Sequence, residues 1–143
     1  MEQVSKPIIT IQATIDAGIE KVWHIWNTPG HVTNWNFAAP EWHCPTGNND
    51  LRVGGMFNYR MEARDGSFGF DFYGTYDEVV PKQKIGYTLG DGRNVEVFFE
   101  DKDEQTEVTE TFEAEQENPV DMQRTGWQAI LNNFKKYVET ATF

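Results

Sequence analysis

From Val120 onward the sequence carries one uninterrupted apolar stripe of helical period: Val120, Trp127, Ile130, Leu131, Phe134, Val138 and Ala141. Asn118-Pro119 marks its start. A side chain suited to capping the first turn is followed by proline at the first helical position, where a missing N–H is harmless. Asp121 near that end complements the helix dipole. No later proline stops the pattern, so it predicts a helix of about 22 residues, roughly 33 Å long at about 1.5 Å per residue. A helix of that length with one dry face needs an equally long cover. The rest of the chain offers mostly strands, so the cover is a sheet.

The strands show themselves by alternation. Ile9, Ile11, Ala13 and Ile15 alternate with Thr10, Gln12 and Thr14, which predicts a half-buried strand over Ile8–Ile15. Asp16 reads as a helix cap, and Ile19, Val22, Trp23 and Trp26 form one face of a helix that Pro29-Gly30 ends. A second short helix is expected from His31 to about Trp35. Asn36–Asp50 holds Phe37, Pro40, Trp42, Cys44 and Pro45 with no sustained period, and reads as a binding loop or lid. Beyond it, Val53, Phe57, Tyr59 and Met61 share one strand phase, with Gly54-Gly55 a bulge or bend, and Asp65-Gly66 turns the chain. Phe68, Phe70, Phe72, Gly74 and Tyr76 share the next phase. Ile85, Tyr87 and Leu89 follow, then Val95, Val97 and Phe99, and Thr106–Ala114 makes the last strand. The order β-α-α-β-β-β-β-β-α predicts one α+β domain over residues 1–143, a curved antiparallel sheet with the long helix across one face.

Charge narrows the function. Lys plus Arg total 12 against 23 Asp plus Glu, a net charge of −11. Such a surface repels nucleic-acid phosphates and anionic lipid headgroups while leaving a basic protein partner open. No apolar run approaches the ~18 residues of a membrane helix, and Met1–Lys6 shows no leader pattern. The single cysteine, Cys44, forms no intrachain disulfide, which suits a reducing cytosol. A cytoplasmic monomer or weak homodimer is expected. Aromatic residues make up 14% of the chain, enough to fill a core or to wall a ligand cavity.

Four stretches carry a family resemblance: Trp42-His43-Cys44-Pro45, Asn49-Asp50-Leu51-Arg52-Val53-Gly54-Gly55, Met61 to Phe72, and Met122-Gln123-Arg124-Thr125-Gly126-Trp127-Gln128-Ala129-Ile130-Leu131. Together they resemble the homologues of the activator of heat-shock-protein-90 ATPase, within the START-like, birch-pollen-allergen-like superfamily. The resemblance covers about Ile8 to Val138. It implies the helix-grip fold, a curved antiparallel sheet wrapped around a C-terminal helix with two short helices closing one end. It also implies binding of lipids, hormones or polyketides, chaperone contact, or cyclase and dehydratase chemistry, with no fixed catalytic motif. Few residues precede the first strand, so the separate N-terminal domain that gives the activator much of its chaperone contact has no expected counterpart.

The principal candidate site is a cavity between sheet and long helix. Gly126 thins that helix, either to leave room for a ligand or to receive a bulky partner such as Trp23 or Trp127. Glu110 shares a phase with Val108 and Phe112, so if they face inward it does too. It would then anchor a ligand's polar group, move a proton, or pair with Arg60, Arg93 or Arg124; the alternative is a strand end at which it reaches solvent. Tyr59 and Tyr87 fall on apolar phases and would meet a polar group with their hydroxyls. Trp35, Trp42, Phe57, Phe70, Phe72, Met122 and Trp127 complete the expected lining, with His43 at the mouth. His43 and Cys44 do not make a metal site, and His24 and His31 are separated by Pro29-Gly30, so no metal is expected. Gly54-Gly55 and Gly90-Asp91-Gly92 lack phosphate-loop spacing, and no cofactor is expected. The leading expectation is a binder of a small, mostly hydrophobic molecule. A module acting on a chaperone ATPase is the alternative, and an enzyme using Glu110 or His43 is third.

Overall fold

The final helix does lie across a sheet, and the sheet is one continuous antiparallel surface. The computed structural model describes residues 7–141. Met1–Lys6, read above as lacking a leader, and residues 142–143 lie outside them. In chain order the elements are β1 (Ile8–Ile15), α1 (Ile19–Asn27), α2 (Pro29–Val32), β2 (Trp42–His43), β3 (Gly47–Asn49), β4 (Met56–Ala63), β5 (Gly69–Val80), β6 (Lys84–Leu89), β7 (Asn94–Lys102), β8 (Gln105–Glu113) and α3 (Val120–Thr140). The eight-stranded sheet runs β1-β8-β7-β6-β5-β4-β2, with β3 also paired to β4. The first strand and the last are therefore neighbours. The α+β order is the one the sequence periods predict, and the arrangement is the helix-grip fold that the family resemblance implies.

Register explains which side chains face the helix. Ile9, Phe112, Val95, Tyr87 and Tyr76 form one cross-strand row, and Ile11, Glu110, Val97 and Ile85 form a parallel one. All of these residues are buried. Because alternation is strict along β8, a register that buries Val108 and Phe112 also turns Glu110 inward. A register shift between Tyr76 and Glu78 bends the sheet, as bulges do.

The helix meets this surface unevenly. Its C-terminal half is packed: Phe134 lies 4.9 Å from the Trp26 ring and 4.7 Å from Trp35. Asn133 donates to the Trp35 carbonyl at 2.9 Å, and Lys135 reaches the Thr14 carbonyl of β1 at 2.9 Å. Tyr137 and His31 of α2 share a 2.7 Å hydrogen bond. At the other end, Trp127 stacks on Phe112 at 3.8 Å, and nothing stands within 4 Å of where a Gly126 Cβ would be. The helix is thus held along β1 and against α1 and α2, and it stands away from the middle of the sheet.

Several local expectations are corrected. Asp16 does not cap α1; Gly18 precedes that helix without a side-chain cap, and Asp16 instead gives its backbone N–H to Glu139 at 2.8 Å. Pro29 starts α2 rather than only ending α1, so the short helix is Pro29–Val32 and not His31–Trp35. Val53 lies outside the strand and is exposed, because Gly54, at φ 83°, turns the chain before β4 begins. The segment expected to be irregular contains β2 and β3, both pinned to β4. Asn118 does not cap α3; its amide bonds Glu115. Buried Gln123 holds that entry instead, donating to the carbonyls of Glu115 (3.1 Å) and Asn118 (2.7 Å) and accepting from the Glu115 N–H (2.8 Å). Phe68, grouped above with a core phase, is 61% exposed, since it precedes β5 and lies beyond the cover of the helix.

Candidate functional site: a ring-walled cavity under the long helix

The space between α3 and the middle of the sheet is a cavity of about 420 Å³. That falls within the roughly 300–1,000 Å³ range of small-molecule sites. Its floor is the ring cluster around Phe57, whose centroid lies 4.9 Å from Tyr87, 5.3 Å from Tyr76, 5.7 Å from Phe72 and 6.0 Å from Tyr59. Strand pairing forces this cluster: Tyr59 stands opposite Phe72 and Tyr76 opposite Tyr87. Gly126, Trp127 and Ile130 of α3 form the roof. Trp26 and Trp35 close the end where the helices meet. Met122, 62% exposed, and Phe70, 43% exposed, line the cavity where it opens to solvent.

Of the residues expected to line a site, the structure brings Trp35, Phe57, Tyr59, Phe70, Phe72, Tyr87, Glu110, Met122 and Trp127 to this cavity. It does not bring Trp42 or His43. Trp42 packs outside, 5.9 Å from Phe68 and 6.0 Å from Phe70. The His43 imidazole points to Glu62 at 3.7 Å, a carboxylate that also receives the Arg60 guanidinium at 2.9 Å. Both residues lie on β2, which pairs with the far edge of β4, so neither reaches under the helix. Sequence reasoning missed Trp26 of the helical stripe, Asn36, Arg93 and Gln123 as lining residues. Trp26 carried a signal, since it shares a helical face with Val22; the others sit in turns or at a helix start, where period says nothing.

Glu110 is the unusual polar group. The residue is 6% exposed. Among the described residues it forms no hydrogen bond or ion pair. The arginines named as its expected partners are engaged elsewhere: Arg60 with Glu62 and Asp71, Arg93 with Asp91, and Arg124 with Asp121. Loss of water pushes its carboxyl up from the ordinary 4.5 to about 8. The Tyr59 and Tyr87 hydroxyls also lack a partner among the described residues, and burial raises the pKa of both. No described side-chain oxygen is both sealed from solvent and unpartnered, so these three groups open onto the cavity they line. Tyr76 is different: its hydroxyl donates to Asn49 at 2.5 Å, and Asn49 in turn donates to the Asn27 carbonyl at 2.7 Å. The site is therefore an apolar room with one carboxyl and two phenol groups free to meet a guest. No group of three or more metal-ligating side chains exists among the described residues.

Residues 16–139 match the family described as activator of Hsp90 ATPase homolog 1-like protein. The solution structure of an AHSA1-like protein from Aeromonas hydrophila is 44% identical, with a TM-score of 0.87 over 93% of this chain and 92% of that one. Chr148 from Cytophaga hutchinsonii is 50% identical, with a TM-score of 0.80 over 92% and 91% of the two chains. Protein CV1439 from Chromobacterium violaceum shares the fold at 22% identity, with a TM-score of 0.84 over 94% of this chain and 99% of that one. No curated protein matches the chain significantly. No helix among the described residues is long and apolar enough to cross a membrane.

Proposed function

The chain belongs to the activator of Hsp90 ATPase homolog 1-like family, and from that premise we propose that it binds a small, mostly hydrophobic molecule between the sheet and α3. The observation that carries this reading is the 420 Å³ ring-walled cavity with an unpartnered carboxyl inside it. A solid interior would gain dispersion energy and lose nothing, so leaving this space and a buried carboxyl costs stability without a guest. The rings supply apolar contact, and Glu110, Tyr59 and Tyr87 fix the guest's orientation. Trp26, Trp35 and Trp127 line the cavity, so binding changes intrinsic fluorescence. Titration against a panel of lipids, flavonoids and polyketides tests the proposal: a saturable change with at least one class supports it, and none with any class refutes it.

A second reading draws on a different surface. Trp42, Phe68 and Phe70 form a ring cluster beside the cavity mouth, and Phe68 is largely exposed. Exposed apolar clusters mark contact sites, and a chaperone ATPase is the partner the family suggests. Adding the protein to a heat-shock-protein-90 ATPase tests it. Raised ATP turnover that is lost in Phe68→Ser supports the reading, and unchanged turnover refutes it.

A further inference from the structure

The polar chemistry of the cavity selects among hydrophobic guests. Glu110 stands between Ile11 and Val97 in its cross-strand row, in an apolar wall with no cation of the protein to neutralise it. Arg93 lines the same cavity, but its guanidinium is held by Asp91 at 2.8 Å. Around Glu110 the walls are rings: Phe57, Tyr59, Phe72, Tyr87 and Trp127. Aromatic faces carry negative charge density and attract a desolvated cation. The chain as a whole carries −11, which draws cations towards it and repels anions.

These features agree on the sign of the guest's charge. A carboxylate guest meets Glu110 and ring faces, with no uncommitted cation in the lining to receive it. A neutral alcohol gains hydrogen bonds from Glu110 and the two tyrosines but nothing from the rings' charge distribution. An ammonium gains from all of them, and it supplies the counter-ion that Glu110 lacks. We infer that the ligand is a hydrophobic amine, its ammonium seated against Glu110 and its apolar body among the rings. The inference rests on the hydrophobic-ligand reading above and adds the charge and class of the guest.

The groups facing Glu110 set the pH at which this works. β6 contributes Tyr87, β5 Tyr76 and β4 Tyr59, all with raised hydroxyl pKa values. The turn between β6 and β7 contributes Arg93 with its Asp91, and the segment before α3 contributes Glu115 at the cavity edge. β1 and β7 present Ile11 and Val97, and α3 presents Gly126, Trp127 and Ile130, none of them charged. Glu110 is the carboxyl in this lining that burial pushes up to about 8. In the empty protein it is about nine-tenths protonated at pH 7. An arriving ammonium ionises it, and the proton leaves to solvent.

The test compares three matched compounds, naphthylpropylamine, naphthylpropanol and naphthylpropionate, by calorimetry on the full chain from pH 6 to pH 9. The inference expects the amine to bind at least tenfold more tightly than the alcohol at pH 8, and the carboxylate most weakly. Amine affinity rises about tenfold per pH unit between pH 6 and 7.5 and levels above pH 8. Titrations in buffers of different ionisation enthalpy show about 0.9 proton released per amine at pH 7. Glu110→Gln abolishes the amine preference and the proton release. The wild-type proton count needs no variant, so it stands even if that substitution perturbs folding. Equal binding of amine and alcohol, with no proton release, overturns the amine assignment and leaves the hydrophobic-ligand reading intact. Failure of all three compounds, together with a silent fluorescence panel, overturns both.

Discussion

Replacing Glu110 by Gln should stabilise the empty protein, by an amount that depends on pH in a defined window. Folding raises the Glu110 pKa from the ordinary 4.5 to about 8, so the native state holds this proton more tightly than the unfolded chain. Below about pH 4.5 both states are protonated and the burial carries no ionisation cost. As pH rises towards 8, the unfolded chain ionises and gains solvation while the native state does not. Stability then falls by about 1.4 kcal/mol per pH unit. Above pH 8 both states are ionised and the loss stops growing. Integrated to pH 7 the loss is roughly 3 kcal/mol, and at the plateau roughly 5. Against a typical total stability of about 5–15 kcal/mol this is a large term. Gln has nearly the same shape and does not titrate, so its amide adds only a pH-independent offset. Urea unfolding of both proteins from pH 4.5 to pH 9 gives the difference directly, and the other carboxylates cancel in the subtraction. The Gln variant should gain on the wild type by roughly 3 kcal/mol between pH 4.5 and pH 7. A difference flat across that range would refute the reasoning, because it would mean that Glu110 is hydrated or partnered in the folded state.

Gly126 gives a separate handle on the cavity: with open space at its Cβ, Gly126→Ala should stabilise the helix by about 1 kcal/mol in thermal unfolding, while Gly126→Phe should occupy the room and abolish the fluorescence response to ligand. Asn49 joins the Tyr76 hydroxyl to the end of α1, so Asn49→Ala should cost about 1–3 kcal/mol in urea unfolding by leaving both partners unsatisfied. The Cys44 thiol is buried and pushed up to about 11 by loss of water, so a chromogenic disulfide reagent at pH 8 should modify it only after denaturant is added; rapid reaction of the native protein would contradict this.

The cavity exists because two demands on α3 cannot be met at once. The C-terminal half is anchored by Phe134, Asn133 and Tyr137 to the α1–α2 end, while the sheet beneath curves away. A straight helix on a bent surface touches where it is anchored and lifts elsewhere. Trp127 partly bridges the gap by stacking on Phe112, and Gly126 leaves the rest open. Space is preserved by geometry here, and the rings around Phe57 give it the character of a binding room.

The sequence by itself determined the order of elements and the inward faces. Strict alternation in β8 turned Glu110 to the interior with Val108 and Phe112, and the stripe from Val120 to Val138 committed the end of the chain to one long helix on a sheet. Period is a local property, so it was legible without coordinates. It could not tell that Trp42 and His43, though aromatic and part of a resemblance motif, belong to a short strand on the outer side of β4. Nor could it show that Gln123 rather than Asn118 secures the start of α3, or that Arg93 comes to the cavity already held by Asp91. Those outcomes depend on which segments meet across long stretches of chain. The hollow itself was decided only by the tertiary structure, because it arises from the mismatch between sheet curvature and helix anchoring, which no local pattern of residues encodes.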